Sequence, residues 1–176
     1  MSGTRWRDVS FNGKNYDLKH LHPFGFQVEM SGSQVSISVS FGNHVFTDEK
    51  GTGIPLFPSP ERYFCPDRHA ASINLPKMIS ERLMLSHVVP HINKSNNEVY
   101  YYCEVNDYAI FFDLRKDDNT ADALTLFVIS AYELDQWGKS SVPRGTAVRF
   151  SYIAHLRLAG TTYFMSKKAN KAKRHP

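Results

Sequence analysis

Apolar and polar residues alternate through much of this chain, with the two-residue period of a half-buried strand. In FGFQVEMSGSQVSISVSF, Phe26, Val28 and Met30 share one parity, Ser31-Gly32-Ser33 turns, and Val35, Ile37, Val39 and Phe41 alternate again. This predicts a hairpin with one apolar face and a row of serines at 36, 38 and 40 on the other. Upstream, VSFNGKNYDL centres on Asn12-Gly13, the strongest local signal for a tight hairpin. Downstream, EVYYYCEV, YAIFFDLRK and ALTLFVISAYEL are rich in aromatic and β-branched residues and closely spaced, so they predict an antiparallel meander. After the loop DQWGKSSVPRG, AVRFSYIAHLRLA predicts a seventh strand and TTYFMS an eighth.

The period changes at NLPKMISERLMLSHV, where Leu75, Ile79, Leu83 and Val88 fall on a helical stripe. Asn74 can cap that helix, Pro76 suits its first turn, and Pro90 limits its extension. Between the early strands and this helix, residues 41–72 break into a Gly- and Pro-rich loop, the longest irregular stretch of the chain. Together these elements predict an α+β fold: a twisted antiparallel sheet of about six to eight strands, with one main helix near 75–88 packed on one face.

A chain of 176 residues with 41% hydrophobic residues supports one core, here a single domain over residues 1–166. Residues 167–176, KKANKAKRHP, form a basic flexible tail with Lys167, Lys168, Lys171, Lys173, Arg174 and no acid. The tail accounts for the net charge of +4, since all 17 acids precede it and the remainder is near neutral. It attracts polyanions without reading sequence, or is a solvated chain end. The apolar runs are strand-length and MSGTRWRDVS lacks a signal-peptide core, so the expected location is the cytoplasm, with no membrane association and with Cys65 and Cys103 as free thiols.

The eight histidines and two cysteines raise the question of a metal. Cys65-x3-His69 and His87-x3-His91 resemble halves of a zinc site, but their separation fits no zinc-finger pattern, and HLH at 20–22 has no carboxylate cluster beside it. No metal and no cofactor are expected. There is no Walker loop and no Gly-x-Ser-x-Gly elbow. What remains is a set of cations, an imidazole and hydroxyls: His44 at the start of the long loop, Arg62, Arg68 and Ser72 at its end, and Ser130 with Tyr132 two apart on one strand. Metal-free RNA cleavage needs a base for the 2′-hydroxyl, an acid for the leaving 5′-oxygen and fixed cations for the phosphorane. Each residue also has an ordinary structural explanation: Arg68 can pair with Asp67, Ser72 can cap the helix, and Tyr132 can sit in the core.

The segments YDLKHLHPF, VSFGNHVFT, RYFCPDRHAASINLPKMI, DYAIFFDLRK and LTLFVISAYELD, in that order from Tyr16 to Phe150, resemble a set of small bacterial proteins carried on mobile elements and labelled stationary phase growth adaptation proteins. That label describes a phenotype and names no reaction; the resemblance places His44, Arg62, Arg68, Ser72, Ser130 and Tyr132 in the shared segments without giving them roles. A looser similarity, at the level of fold, is to the barnase, colicin and RelE group of ribonucleases, whose antiparallel sheet supports metal-independent catalytic residues of mixed type. Many of those enzymes have their helix before the sheet, whereas here it lies between two groups of strands, so no residue is carried over.

The resulting expectation is a metal-independent endoribonuclease of toxin or defence type, acting on RNA and held in check by an inhibitory protein partner. His44, Arg68, Tyr132 and Ser130 are its candidate catalytic residues, and Arg62, Ser72, Lys167, Lys168, Lys171 and Lys173 its candidate phosphate ligands. The alternative is a non-catalytic accessory or antitoxin-like module that binds nucleic acid or a partner protein, with the Tyr100–Tyr102 row offering rings for bases.

Overall fold

The computed structural model describes residues 3–93, 98–134 and 142–172. The chain opens with β1 (Val9–Phe11) and β2 (Lys14–Tyr16), joined at Asn12 and Gly13, whose φ values of 50° and 71° give the turn that matches strand twist. The second hairpin, β3 (Phe24–Met30) and β4 (Ser33–Phe41), pairs in the register Met30↔Ser33 to Phe24↔Val39. Val35, Ile37, Val39 and Phe41 are buried, as their alternation requires.

The segment expected to be loop is more ordered than its pattern indicates. After a 3-10 turn at Asn43–Val45 come β5 (Thr47–Asp48), β6 (Pro55–Pro58) and β7 (Glu61–Phe64), which form a small sheet in the order β5-β7-β6. Helix α1 (Pro66–Ser72) follows with Pro66 in its first turn, then α2 (Leu75–Arg82), which buries Leu75 and Ile79. The helix expected near 75–88 thus packs on the sheet but stops earlier. A 3-10 turn at Leu83–Leu85 ends it, and Val88 and Pro90 belong to strand β8 (His87–Ile92).

Strands β9 (Val99–Val105), β10 (Tyr108–Lys116) and β11 (Ala123–Glu133) form the expected meander. With β12 (Val148–Arg149) they complete a seven-stranded sheet in the order β12-β8-β9-β10-β11-β4-β3. β12 pairs only with His87 and Val88, which leaves Pro90 at an edge where its missing N–H costs nothing. One ladder departs from the antiparallel expectation: β4 runs parallel to β11, from Ala123↔Ser36 to Val128↔Phe41.

The expected seventh and eighth strands are mostly helical. Beyond β12 the chain forms α3 (Phe150–Leu158), and TTYFMS opens α4 (Tyr163–Ala172). Phe150, Ile153 and Ala154 also fit a helical period, and in α3 they fill the same core as Leu75, Ile79, Leu83, Tyr101, Phe112 and Leu126. α4 also carries Lys167, Lys168 and the backbone of Lys171, where a flexible tail was expected. No described helix is long and apolar enough to cross a membrane.

Within β11 lies a bulge. Phe111 faces Ser130 and Phe112 faces Val128, so Ile129 is an extra residue. Leu124, Leu126 and Val128 point into the core, and strict alternation would send Ser130 and Tyr132 there too. The extra residue reverses the parity: Ala131 is in the main core, while Tyr132 packs on the opposite face with Tyr102, Ala109 and Phe111.

Gly53 is held against β7. A Cβ there would stand 1.8 Å from the carbonyl oxygen of Phe64, backbone that cannot swing aside. Gly53→Ala should therefore cost about 1–3 kcal/mol through overpacking, seen as a lower urea midpoint with an unchanged m-value.

Candidate functional site

Apart from tyrosines and cysteines, the buried polar side chains among the described residues are Thr47, Asp48, Arg62, Arg68, His69 and Ser72. All six come from residues 47–72, the part of the chain with no clear hydrophobic period. Burying charge is costly without partners, so their contacts define what this region can do.

Arg62, 4% exposed, extends from β7 across β5. Its Nε donates to Thr47 Oγ1 at 3.2 Å, Nη2 to the Thr47 carbonyl at 2.8 Å and Nη1 to Glu49 Oε1 at 2.7 Å. Thr47 Oγ1 in turn donates to the carbonyl of Asn43 at 2.7 Å. Arg62 therefore fastens the small sheet to the turn that bears His44, and all three of its guanidinium nitrogens are engaged by protein. This is an anchoring geometry rather than the phosphate clamp expected of it.

Arg68, 8% exposed, lies in the first turns of α1 and donates from Nη1 to the main-chain carbonyl of His44 at 2.6 Å. Its guanidinium carbon stands 5.4 Å from the ring centroid of Tyr132, within cation–π reach. Arg68 thus bridges the main chain of His44 and the ring of Tyr132, residues of two other elements. β4 stops pairing with β11 at Val128, and the Asn43–Val45 turn and α1 pack against β11 beyond that point.

The electrostatics follow from this packing. Burial lowers the His44 pKa, and the charges of Arg62 and Arg68 lower it further, so its imidazole is neutral near pH 7 and can accept a proton. Burial raises the Cys65 thiol above its ordinary range, which removes it as a ready nucleophile. Tyr108 belongs to the same neighbourhood and was not singled out in the sequence. Its side chain is buried, its hydroxyl has no hydrogen-bond partner among the described residues, burial raises its pKa, and the charge of Arg68 acts in the opposite sense. No sequence signal separates it from the neighbouring tyrosines.

Ser130 and Tyr132 line a hollow of about 430 Å³ with Asn93, Tyr100, Phe111 and Ile129. Ser72 is directed elsewhere. Its hydroxyl donates to the carbonyl of His69 at 2.8 Å, so His20 Nε2, also at 2.8 Å, must be the donor to Ser72. His69 Nε2 donates to the Asp17 carbonyl at 2.8 Å, and this group ties α1 to the N-terminal segment. His22, the other imidazole of HLH, bonds the carbonyl of Trp6 at 3.0 Å.

Lys167 and Lys168 are exposed on α4, and the Lys167 ammonium stands 5.0 Å from the Tyr163 ring centroid, with no contact to Arg68. The side chain of Lys171 and all of Lys173 lie outside the described residues, as do residues 135–141 of the DQWGKSSVPRG loop. Among the described residues, no group of three or more His, Cys, Asp or Glu is arranged to hold a metal ion.

Burial also lowers the His20 pKa, with His69 adding to the effect. For both His20 and His44 the unfolded chain, near the ordinary value of 6.5, binds protons more readily than the folded one. Their contribution to stability is complete above about pH 6.5 and is lost as pH falls through the depressed values. Urea midpoints measured from pH 7.5 to 5 should fall, and the decline should be shallower in a His20→Gln/His44→Gln variant.

The YjaZ family model matches residues 8–158, from the first hairpin to the end of α3. No curated protein and no solved structure matches the chain. With the greater part of its length matched by that model, the chain belongs to the YjaZ family.

Proposed function

We propose that this protein is a metal-independent endoribonuclease of the toxin or defence type that mobile elements carry, restrained by a protein partner. The observation that carries the reading is the position of the Arg68 guanidinium, bonded to the His44 main chain and set against the Tyr132 ring. An analogy with the barnase, colicin and RelE group, and the resemblance of the chain's segments to mobile-element proteins, support the reading.

In this mechanism His44, neutral because of its surroundings, takes the proton of an RNA 2′-hydroxyl. The 2′-oxygen attacks the adjacent phosphorus, the bond to the 5′-oxygen breaks, and Tyr132 gives that oxygen a proton. Arg68 stabilises the phosphorane charge, and the Ser130 hydroxyl positions the phosphate. The products are a 2′,3′-cyclic phosphate and a free 5′-hydroxyl. Arg62 acts through its hold on the His44 turn.

A second reading is favoured by one observation: the guanidinium nitrogens of Arg62 are all bonded within the protein, and Arg68 is more than nine-tenths buried. Cations spent on the fold suit a non-catalytic module that binds nucleic acid through its aromatic face and α4 lysines.

Incubation of single-stranded RNA with the protein in EDTA separates the two. Cleavage with cyclic-phosphate ends should occur, with kcat/KM rising as pH climbs through the depressed His44 pKa below 6.5. Arg68→Ala should lower kcat/KM by about 10²–10³-fold. Intact RNA, or an Arg68→Ala protein that cleaves like wild type, overturns the catalytic reading. Binding without cleavage, with a salt dependence reduced in Lys167→Ala/Lys168→Ala, establishes the second.

A further inference from the structure

Among the described residues, Tyr132 lies against neighbours of different chemistry, a cation and an aromatic ring. Arg68 stands 5.4 Å from its ring centroid, and Phe111 stacks on it with centroids 5.6 Å apart and planes at 23°. Beside this stacked pair is the hollow of about 430 Å³ lined by Asn93, Tyr100, Phe111, Ile129, Ser130 and Tyr132. That volume lies within the range of small-molecule sites.

Among the described residues, the lining contains no carboxylate, ammonium or guanidinium. It consists of three aromatic rings and an isoleucine, with one amide and the hydroxyls of Tyr100, Tyr132 and Ser130. An ionic group would lose hydration there without gaining a counter-charge. A flat, uncharged ring system with hydrogen-bonding edges would gain stacking and polar contacts. Among the described residues, a positive charge stands beside the hollow, at Arg68 against the Tyr132 ring. A nucleotide divides in the same way, into a neutral planar base and an anionic phosphate. The β11 bulge is what turns Ser130 and Tyr132 toward this side of the sheet.

We infer that, with RNA as the ligand as the catalytic reading requires, the hollow receives one unpaired nucleobase. The base stacks on the Tyr100, Phe111 and Tyr132 rings, Asn93 meets its edge, and the adjoining phosphate faces Ser130 and Arg68. A base-paired nucleotide keeps its faces covered by its own helix and cannot enter, so the site selects single strands over duplex.

The test uses a fluorescein-labelled eight-nucleotide 2′-O-methyl RNA, which lacks the attacking hydroxyl and reports binding alone. By anisotropy the single strand should bind at least about tenfold tighter than the same oligonucleotide in a duplex. Tyr100→Leu and Phe111→Leu should each weaken it about tenfold, while Tyr100→Phe keeps wild-type affinity. Circular dichroism identifies the variants that remain folded. No binding of the single strand, equal affinity for single strand and duplex, or wild-type affinity in folded Tyr100→Leu overturns the inference. Cleavage of ordinary single-stranded and duplex RNA at equal rates overturns it as well, yet leaves the catalytic reading standing. Tyr100-dependent binding of single strands without cleavage of ordinary RNA has the reverse effect.

Discussion

Two arginines must be buried in one short region, and their hydrogen-bonding demands organise what surrounds them. Arg62 takes both the hydroxyl and the carbonyl of Thr47, and the Thr47 hydroxyl passes the constraint to Asn43. The turn that follows β4 is thereby fixed, which presents the His44 carbonyl to Arg68. Their mutual repulsion is offset by the Glu49 carboxylate on Arg62 and by main-chain carbonyls that accept from both. Removing one partner would leave a buried cation with fewer acceptors, a larger loss than the value of any single bond.

The fold was legible wherever local pattern and tertiary burial ask for the same thing. Asn12-Gly13 allows the positive φ values of its turn, and the period-two residues of β4 have only one face to bury. Legibility failed where two periods fit the same residues. Val148, Phe150, Tyr152 and Ala154 alternate like a strand, but Phe150, Ile153 and Ala154 also make a helical stripe, and packing on the sheet selects the helix. The parallel ladder was invisible because nothing in β4 or β11 alone encodes the direction of a partner so distant in sequence.

The site was legible as residue types and only partly as geometry. Arg68 reaches both the His44 main chain and the Tyr132 ring, because strand β7 runs directly into α1 and delivers it there. Arg62 and Ser72 have the same chemical credentials, but their partners, Thr47 and the His20–His69 pair, depend on contacts that spacing cannot reveal. The outward direction of Tyr132 is set by one inserted residue, Ile129, which reads in the sequence as an ordinary apolar position.

The parallel pairing of β4 with β11 also bears on when the site comes into being. Phe41 and Val128 are 87 positions apart, and joining them closes the longest loop in the main sheet, whereas the hairpins close locally. Contacts of such high sequence separation carry a large loop-closure cost and slow folding. The Arg68 contacts with the His44 main chain and the Tyr132 ring lie at the end of that ladder, so a chain in which β4 has not yet joined β11 lacks their framework.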